Sequence, residues 1–143
     1  MARSAAAIRA LRDAGFRMTR ARAAIIAELT ESAVPLSADD LRRRLGKRGV
    51  AADRSTVYRE ISFLREQSLI HEIPLGDGKL RYKACPSGDH HHIICTGCSR
   101  TDAVPTEQGF ANYGSRIAKS RGFHLTRRSF ELFGLCSACR SKK

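Results

Sequence analysis

Two Cys-x-x-C pairs, Cys95/Cys98 and Cys136/Cys139, constrain this chain more than any other feature. One such pair can set two thiolates about 2.3 Å from a single Zn²⁺, and two pairs complete a tetrahedron. A closed site of this kind is structural: it adds folding energy and leaves no coordination position open. Thirty-seven residues lie between Cys98 and Cys136. That is too many for a minimal ribbon, so a helix and a strand must be clipped between the pairs. The fifth cysteine, Cys85, stands alone. The count is odd, and the Ala/Arg-rich start from Met1 to Leu11 makes a poor secretory signal. Both point to a reducing, cytoplasmic setting and to metal rather than disulfides.

Composition bounds the rest. The 143 residues suffice for one ordinary domain or two small ones, and 42% hydrophobic content supports a real core. With no Trp and 6% aromatics, that core must be mostly aliphatic. No apolar run approaches the roughly 20 residues a spanning helix needs, so no membrane association is expected. A net charge of +12 and a pI near 10.3 favour a polyanionic partner. Residues 1–85 carry 17 basic and 10 acidic groups, and residues 86–143 carry 9 and 4. The composition shifts near Pro86-Ser87-Gly88, after which come four of the five Cys and four of the five His. The expected organisation is a domain over 1–84, a hinge over 85–88 and a second domain over 89–143.

The first half reads as helices followed by a hairpin. A helix from Ser4 to Ala14 stops at Gly15. Thr19 opens a second, with Ala23, Ile26, Ala27 and Leu29 at helical spacing, closed by Pro35. Ser37 and Asp40 form a capping box for a third, with Leu41 and Leu45 on one face and an end at Gly46. Asp53 or Ser55 caps a fourth, whose Val57, Ile61, Leu64 and Ser68 trace one face. Segments 69–73 and 79–83 flank a turn containing Gly76-Asp77-Gly78, a hairpin signature. Three helices and then a two-stranded ribbon is the order of a winged helix-turn-helix, in which the fourth helix here lies in the DNA major groove. In the second half, His92–Cys95 and Thr101–Val104 read as short strands. Thr106–Ser120 reads as a helix with Phe110, Tyr113 and Ile117 at helical spacing, and Phe123–Phe133 as a long strand.

Asp89-His90-His91-His92 is a second metal-ligand constellation. In an extended segment alternate side chains face opposite ways, so His90 and His92 project together and Asp89 and His91 project oppositely. One tetrapeptide can therefore serve two ions. Each set needs distant partners, and Cys85, His71, Glu107 and His124 are the available ones.

At these residues the chain resembles the ferric uptake regulator family of bacterial metalloregulators. The resemblance is carried by Gly15-Phe16-Arg17-Met18-Thr19-Arg20-Ala21-Arg22, by Ser55-Thr56-Val57-Tyr58-Arg59, and by the run from Asp89 to Cys98. Gly122-Phe123-His124 and Glu131 to Cys136 continue it. It implies an α+β protein with an N-terminal winged helix-turn-helix domain and a C-terminal α/β dimerisation domain holding a structural zinc. It also implies a homodimer that, when loaded with metal, binds a palindromic DNA operator and represses metal-uptake genes. The family's structural zinc maps onto Cys95, Cys98, Cys136 and Cys139. Its sensory site maps onto His71, Cys85, His90 and His92, and a further site onto Asp89, His91, Glu107 and His124. The family commonly writes His-His-Asp-His where this chain has Asp-His-His-His. The segment from Cys98 to Glu107 is also short, which makes Asp102 a competitor for Glu107.

Ligand softness selects the metal. Thiolate and imidazole suit Zn²⁺, whereas carboxylate-rich octahedral sites suit Fe²⁺ or Mn²⁺. The Cys85, His71, His90, His92 set therefore favours the family's zinc-sensing subgroup, with both a structural and a regulatory Zn(II). An iron, manganese or peroxide sensor of the same family is the alternative. One ion held by all four ligands would fix the angle between the domains. In a dimer that sets the spacing of the reading helices, whose half-sites lie about 34–36 Å apart or a multiple of it. Tyr58 and Arg59 are the expected operator contacts, Tyr58 on a thymine methyl or a phosphate and Arg59 on guanine O6/N7. Arg54, Ser55 and Thr56, with Arg17, Arg20 and Arg22, are expected near backbone phosphates. A zinc enzyme needs an open coordination position and a nearby base. No H-E-x-x-H or nucleophile motif is present, so neither enzymatic activity nor a small-molecule substrate is expected.

Overall fold

The computed structural model describes residues 2–85, 90–125 and 130–142, and side chains at all of these but 2, 3 and 108–111. The chain separates into two compact units, Met1–Pro86 and Ser87–Lys143. Of the expected hinge, 85–88, only Cys85 is among the described residues. No helix among them is long and apolar enough to cross a membrane.

The first unit holds α1 (Ala2–Asp13), α2 (Arg20–Glu31), α3 (Ala38–Lys47), α4 (Arg54–Glu66), β1 (Ile70–Glu72) and β2 (Tyr82–Ala84). Helix starts are set by side-chain acceptors for otherwise orphaned amides. Thr19 Oγ1 accepts from the Arg22 amide at 3.1 Å. Ser37 and Asp40 cap α3 reciprocally, at 3.1 and 3.0 Å. Asp53, rather than Ser55, caps α4 by accepting from the Thr56 amide at 2.7 Å. Three expected ends move. Helix α2 stops at Glu31, ahead of Pro35, because Ser32 already leaves the helical region. Helix α3 passes through Gly46 to Lys47, and the left-handed glycine after it is Gly49, φ 67°. Ser68 lies beyond α4 in the left-handed region, φ 56°, not on its face.

As the composition requires, the core of this unit is aliphatic. Ile25, Leu29, Leu41, Leu45, Val57 and Leu64 are fully buried, with Tyr82 alongside. Strands β1 and β2 pair antiparallel, His71 opposite Lys83, and Leu36 adds a bridge to Tyr82. Lys83 Nζ donates to the Ser32 carbonyl, fastening the ribbon to the end of α2. This is a winged helix-turn-helix with β1–β2 as the wing.

The second unit holds β3 (His90–Cys95), β4 (Thr101–Pro105), α5 (Gln108–Ser120), β5 (Glu131–Gly134) and α6 (Ser137–Arg140). The strand order is β4-β3-β5, with β4 antiparallel and β5 parallel to β3. The long strand expected over Phe123–Phe133 does not begin at Phe123: Phe123–Leu125 are irregular, 126–129 lie outside the described residues, and among the described residues Glu131–Gly134 form the strand. Tyr113 and Ile117 of α5, and Leu132 and Phe133 of β5, are exposed.

Candidate metal centre and nucleic-acid interface

The sulfur cluster forms where β3 and β5 end side by side. Cys95 closes β3 and pairs with Gly134, the last residue of β5. A tight turn follows, closed by the Ser99 amide on the Cys95 carbonyl at 2.9 Å, with Ser99 at φ 62°. The Thr96 amide donates to the Gly134 carbonyl at 2.8 Å, locking this turn to the end of β5. Cys136 then starts α6, and Cys139 lies one turn along it.

All four Sγ atoms lie within 4.8 Å of one another. Cys98 Sγ and Cys136 Sγ are 3.8 Å apart. A disulfide would require about 2.05 Å, and none of the five cysteines is in one. Four sulfurs at about 2.3 Å from one Zn²⁺ stand about 3.8 Å from each other at the corners of a tetrahedron. The donor set and its spacing therefore fit a structural zinc. Thiolate formation is prepared as well. The Cys136 amide donates to Cys95 Sγ at 3.3 Å. That bond, with the Cys98 and Gly97 amides, lowers the Cys95 thiol to about 6. Crowding by the Cys136, Cys98 and Cys95 sulfurs pushes Cys139 up to about 12. Charge piled on four sulfurs is what a bound dication relieves. Gly97 makes the cradle possible, since a Cβ there would stand 3.0 Å from Cys139 Sγ. In the sequence Gly97 stands only as part of the run that carries the family resemblance; its place inside Cys-x-Gly-Cys was the signal for this role.

The histidines alternate along β3 as expected. His90 and His92 share a face, their rings edge-on at 4.9 Å, and both are buried. His91 turns the other way, against Phe130 at 5.1 Å. In the first unit, the ladder puts His71 opposite Lys83, and the Cys85 amide donates to the Leu69 carbonyl at 2.9 Å. By strand alternation His71 and Cys85 then share one face of the wing. The further site is described only in part. Asp89 lies outside the described residues, and His91, Glu107 and His124 form no three-ligand group among them. Glu107 is exposed ahead of α5 without capping it, and His124 is exposed. Asp102 is engaged by Arg100 at 2.9 Å.

Helix α4 buries Val57, Glu60, Ile61 and Leu64 and exposes Arg54, Ser55, Tyr58 and Arg59, with Thr56 between. The Arg54 guanidinium lies 5.6 Å from the Tyr58 ring. Arg59 donates loosely to Thr56 Oγ1 at 3.4 Å. Arg17 and Arg20 are exposed around the turn into α2. Arg22 differs from Arg17 and Arg20: its side chain is largely buried and is held by Glu60 at 2.7 Å and by the Arg17 carbonyl at 2.7 Å. All three of its guanidinium nitrogens have partners within the unit.

Comparison with known proteins agrees with this geometry. The sequence model of the Ferric uptake regulator family matches residues 13–133. A zinc uptake regulation protein of Mycobacterium tuberculosis is 34% identical over 128 residues, spanning 90% of this chain and 98% of the relative. The peroxide operon regulator of Bacillus subtilis is 29% identical over 137 residues, 96% of this chain and 93% of that protein. A zinc uptake regulator solved with zinc and DNA superposes with a TM-score of 0.82 at 26% identity, over 97% of this chain and 93% of that one. A family match across most of the sequence, on a winged helix followed by a four-cysteine cluster, establishes that the chain belongs to the ferric uptake regulator family.

Proposed function

We propose that this chain is a zinc-responsive transcriptional repressor that binds palindromic operators of zinc-uptake genes as a homodimer. The observation carrying the metal assignment is the donor chemistry of the two like-facing pairs, His71 with Cys85 on the wing and His90 with His92 on β3. Three imidazoles and a thiolate make a tetrahedral Zn²⁺ set without a carboxylate, whereas Fe²⁺ and Mn²⁺ sites draw on carboxylates. The likeness to zinc uptake regulators supports the same reading. When bound, zinc supplies a point that joins ligands from both pairs and favours one conformation of an ensemble. By linkage, operator DNA then tightens zinc binding by the same factor.

The chain's own residues do the reading. Arg59 and Tyr58 stand exposed on α4, suited to a guanine edge and to a thymine methyl or phosphate. Arg54, Ser55 and Thr56 at the start of α4, with Arg17 and Arg20 at the turn before α2, suit phosphates. The exposed apolar side chains of α5 and β5 suit a second copy of the chain.

The test is a titration of operator binding with Zn²⁺, Fe²⁺ and Mn²⁺ in turn, on wild type and Cys85→Ser. Expected is half-maximal binding at far lower Zn²⁺ than Fe²⁺ or Mn²⁺. Cys85→Ser should lose that response while retaining one zinc per chain in the sulfur cluster. Operator binding driven by iron or manganese but indifferent to zinc overturns the zinc assignment. Binding unaffected by chelation of every exchangeable metal overturns metal regulation.

A further inference from the structure

A buried ion pair lies directly behind the face of α4 assigned to reading DNA. Arg22, in the first turn of α2, places Nε 2.7 Å from Glu60 Oε2 and Nη2 3.4 Å from Oε1. Only 13% and 8% of the two side chains are exposed. The guanidinium carbon lies 3.7 Å from the centroid of the Phe63 ring. That ring meets Phe16 edge-on at 5.1 Å. The remaining nitrogen, Nη1, donates to the Arg17 carbonyl at 2.7 Å. A single side chain thus joins the turn before α2, α2 itself and α4.

As a source of stability this is a poor device. Removing two charges from water is costly, and a well-packed apolar pair commonly serves the fold as well or better. What the pair supplies is direction, because a planar fork against a carboxylate admits few orientations. Glu60 follows Tyr58 and Arg59 in α4 but faces the interior. The rotation of α4 that satisfies Arg22 therefore also decides where Tyr58 and Arg59 point. The same guanidinium holds the carbonyl of Arg17, one of the groups suited to phosphate.

We propose that Arg22 and Glu60 are positioning residues for DNA reading: they lock the rotation of α4 against the turn at 17–20, keeping base-reading and phosphate-gripping groups in one register. This rests on the DNA-binding role argued above.

The test uses the full-length zinc-loaded protein, a duplex that wild type selects from a random library, and an unrelated duplex of equal length. The variants are Glu60→Gln and the double variant Arg22→Met with Glu60→Leu, which restores an apolar contact should Glu60→Gln fail to fold. Expected is a loss of about tenfold or more on the selected duplex, comparable to one mismatched base pair. Affinity for the unrelated duplex and its salt slope should hold, with wild-type-like circular dichroism and melting in the double variant. Folded variants that keep the selected-to-unrelated ratio overturn the proposal and leave the pair as packing. Equal losses on both duplexes, with a salt slope reduced by about one, also overturn it and make Arg22 a phosphate contact. Loss of the fold in both variants counts against it too, since the pair is then a folding requirement first. A wild type that selects no sequence removes the DNA-reading role itself, and the positioning role with it.

Discussion

Gly97→Ala is the sharpest test of the sulfur cluster, because the added methyl has no space to enter. A Cβ at position 97 would lie 3.0 Å from Cys139 Sγ, 3.1 Å from Cys139 Cβ and 3.3 Å from Leu135 Cδ2. Non-bonded heavy atoms settle at about 3.5–4.0 Å, so Cys139 must retreat by roughly 0.5 Å. Ligand distances in a working metal site hold to within about 0.2 Å. The displaced sulfur must then lengthen its bond to zinc or carry α6 with it. Overpacking of this kind costs about 1–3 kcal/mol, which as zinc affinity is a loss of roughly 5- to 150-fold. Gly134→Ala is the matched control, since a Cβ there meets nothing within 4 Å and the backbone is not left-handed. The assay is competition for the tightly held zinc by a chromogenic chelator. Gly97→Ala should release zinc at lower chelator concentration, and Gly134→Ala should follow wild type. Gly97→Ala protein that retains zinc as firmly as wild type would refute the claim that Cys139 closes the tetrahedron against the 95–98 turn.

Three further outcomes are expected. Arg59→Ala should cost about 1–3 kcal/mol at one base position and relax selectivity there; an unchanged operator footprint and affinity would remove Arg59 from the reading face. Leu41→Ala empties a fully buried site and should cost about 2–5 kcal/mol in urea unfolding, so a loss under about 1 kcal/mol would contradict the close packing of α3 on α4. Burial raises the Asp40 carboxyl, but hydrogen bonds from the Ser37 hydroxyl and amide and from Arg43 outweigh it, leaving it below its ordinary value. A group depressed in the folded state stabilises above its unfolded value and loses that contribution as pH falls through the folded one. Melting should therefore drop below about pH 4, more steeply in wild type than in Asp40→Asn; equal acid limbs in the two would show that the capping box contributes nothing there.

What was legible in the sequence was local. The Ser37/Asp40 box, the Thr19 cap and the Val57, Ile61, Leu64 stripe each depend on residues within a turn or two, and each forms. The cysteine spacing was legible because two Cys-x-x-C pairs admit few other chemistries, and the four sulfurs converge. Misreadings arose where a partner far along the chain decides. A strand exists only opposite another strand, and β5 pairs only where β3 presents His92 to Cys95. Periodicity alone could not show that Phe123–Leu125 stay outside the strand. Gly46 looked like a stop, yet an exposed glycine costs a helix only about 1 kcal/mol, and α3 continues until Gly49 supplies the left-handed exit. Arg22 looked like its neighbours Arg17 and Arg20. Its carboxylate partner is 38 residues away, and no local pattern announces it.

One short strand carries both a histidine pair and the first cysteine of the sulfur cluster, and this has a physical consequence. Strand β3 carries His90 and His92 at one end and Cys95 at the other. Its register with β5 sets Cys95 beside Gly134, two residues before Cys136, and His92 beside Glu131. A slip of one residue would turn His90 and His92 to the opposite face of the sheet. It would also carry Cys95 away from the Cys136 amide that bonds its sulfur. Closing the sulfur cluster therefore fixes the direction of the imidazoles as well as the fold around them. The register that closes the cysteine site is the one that aims His90 and His92, so an ion held by those imidazoles would depend on the sulfur cluster being formed first.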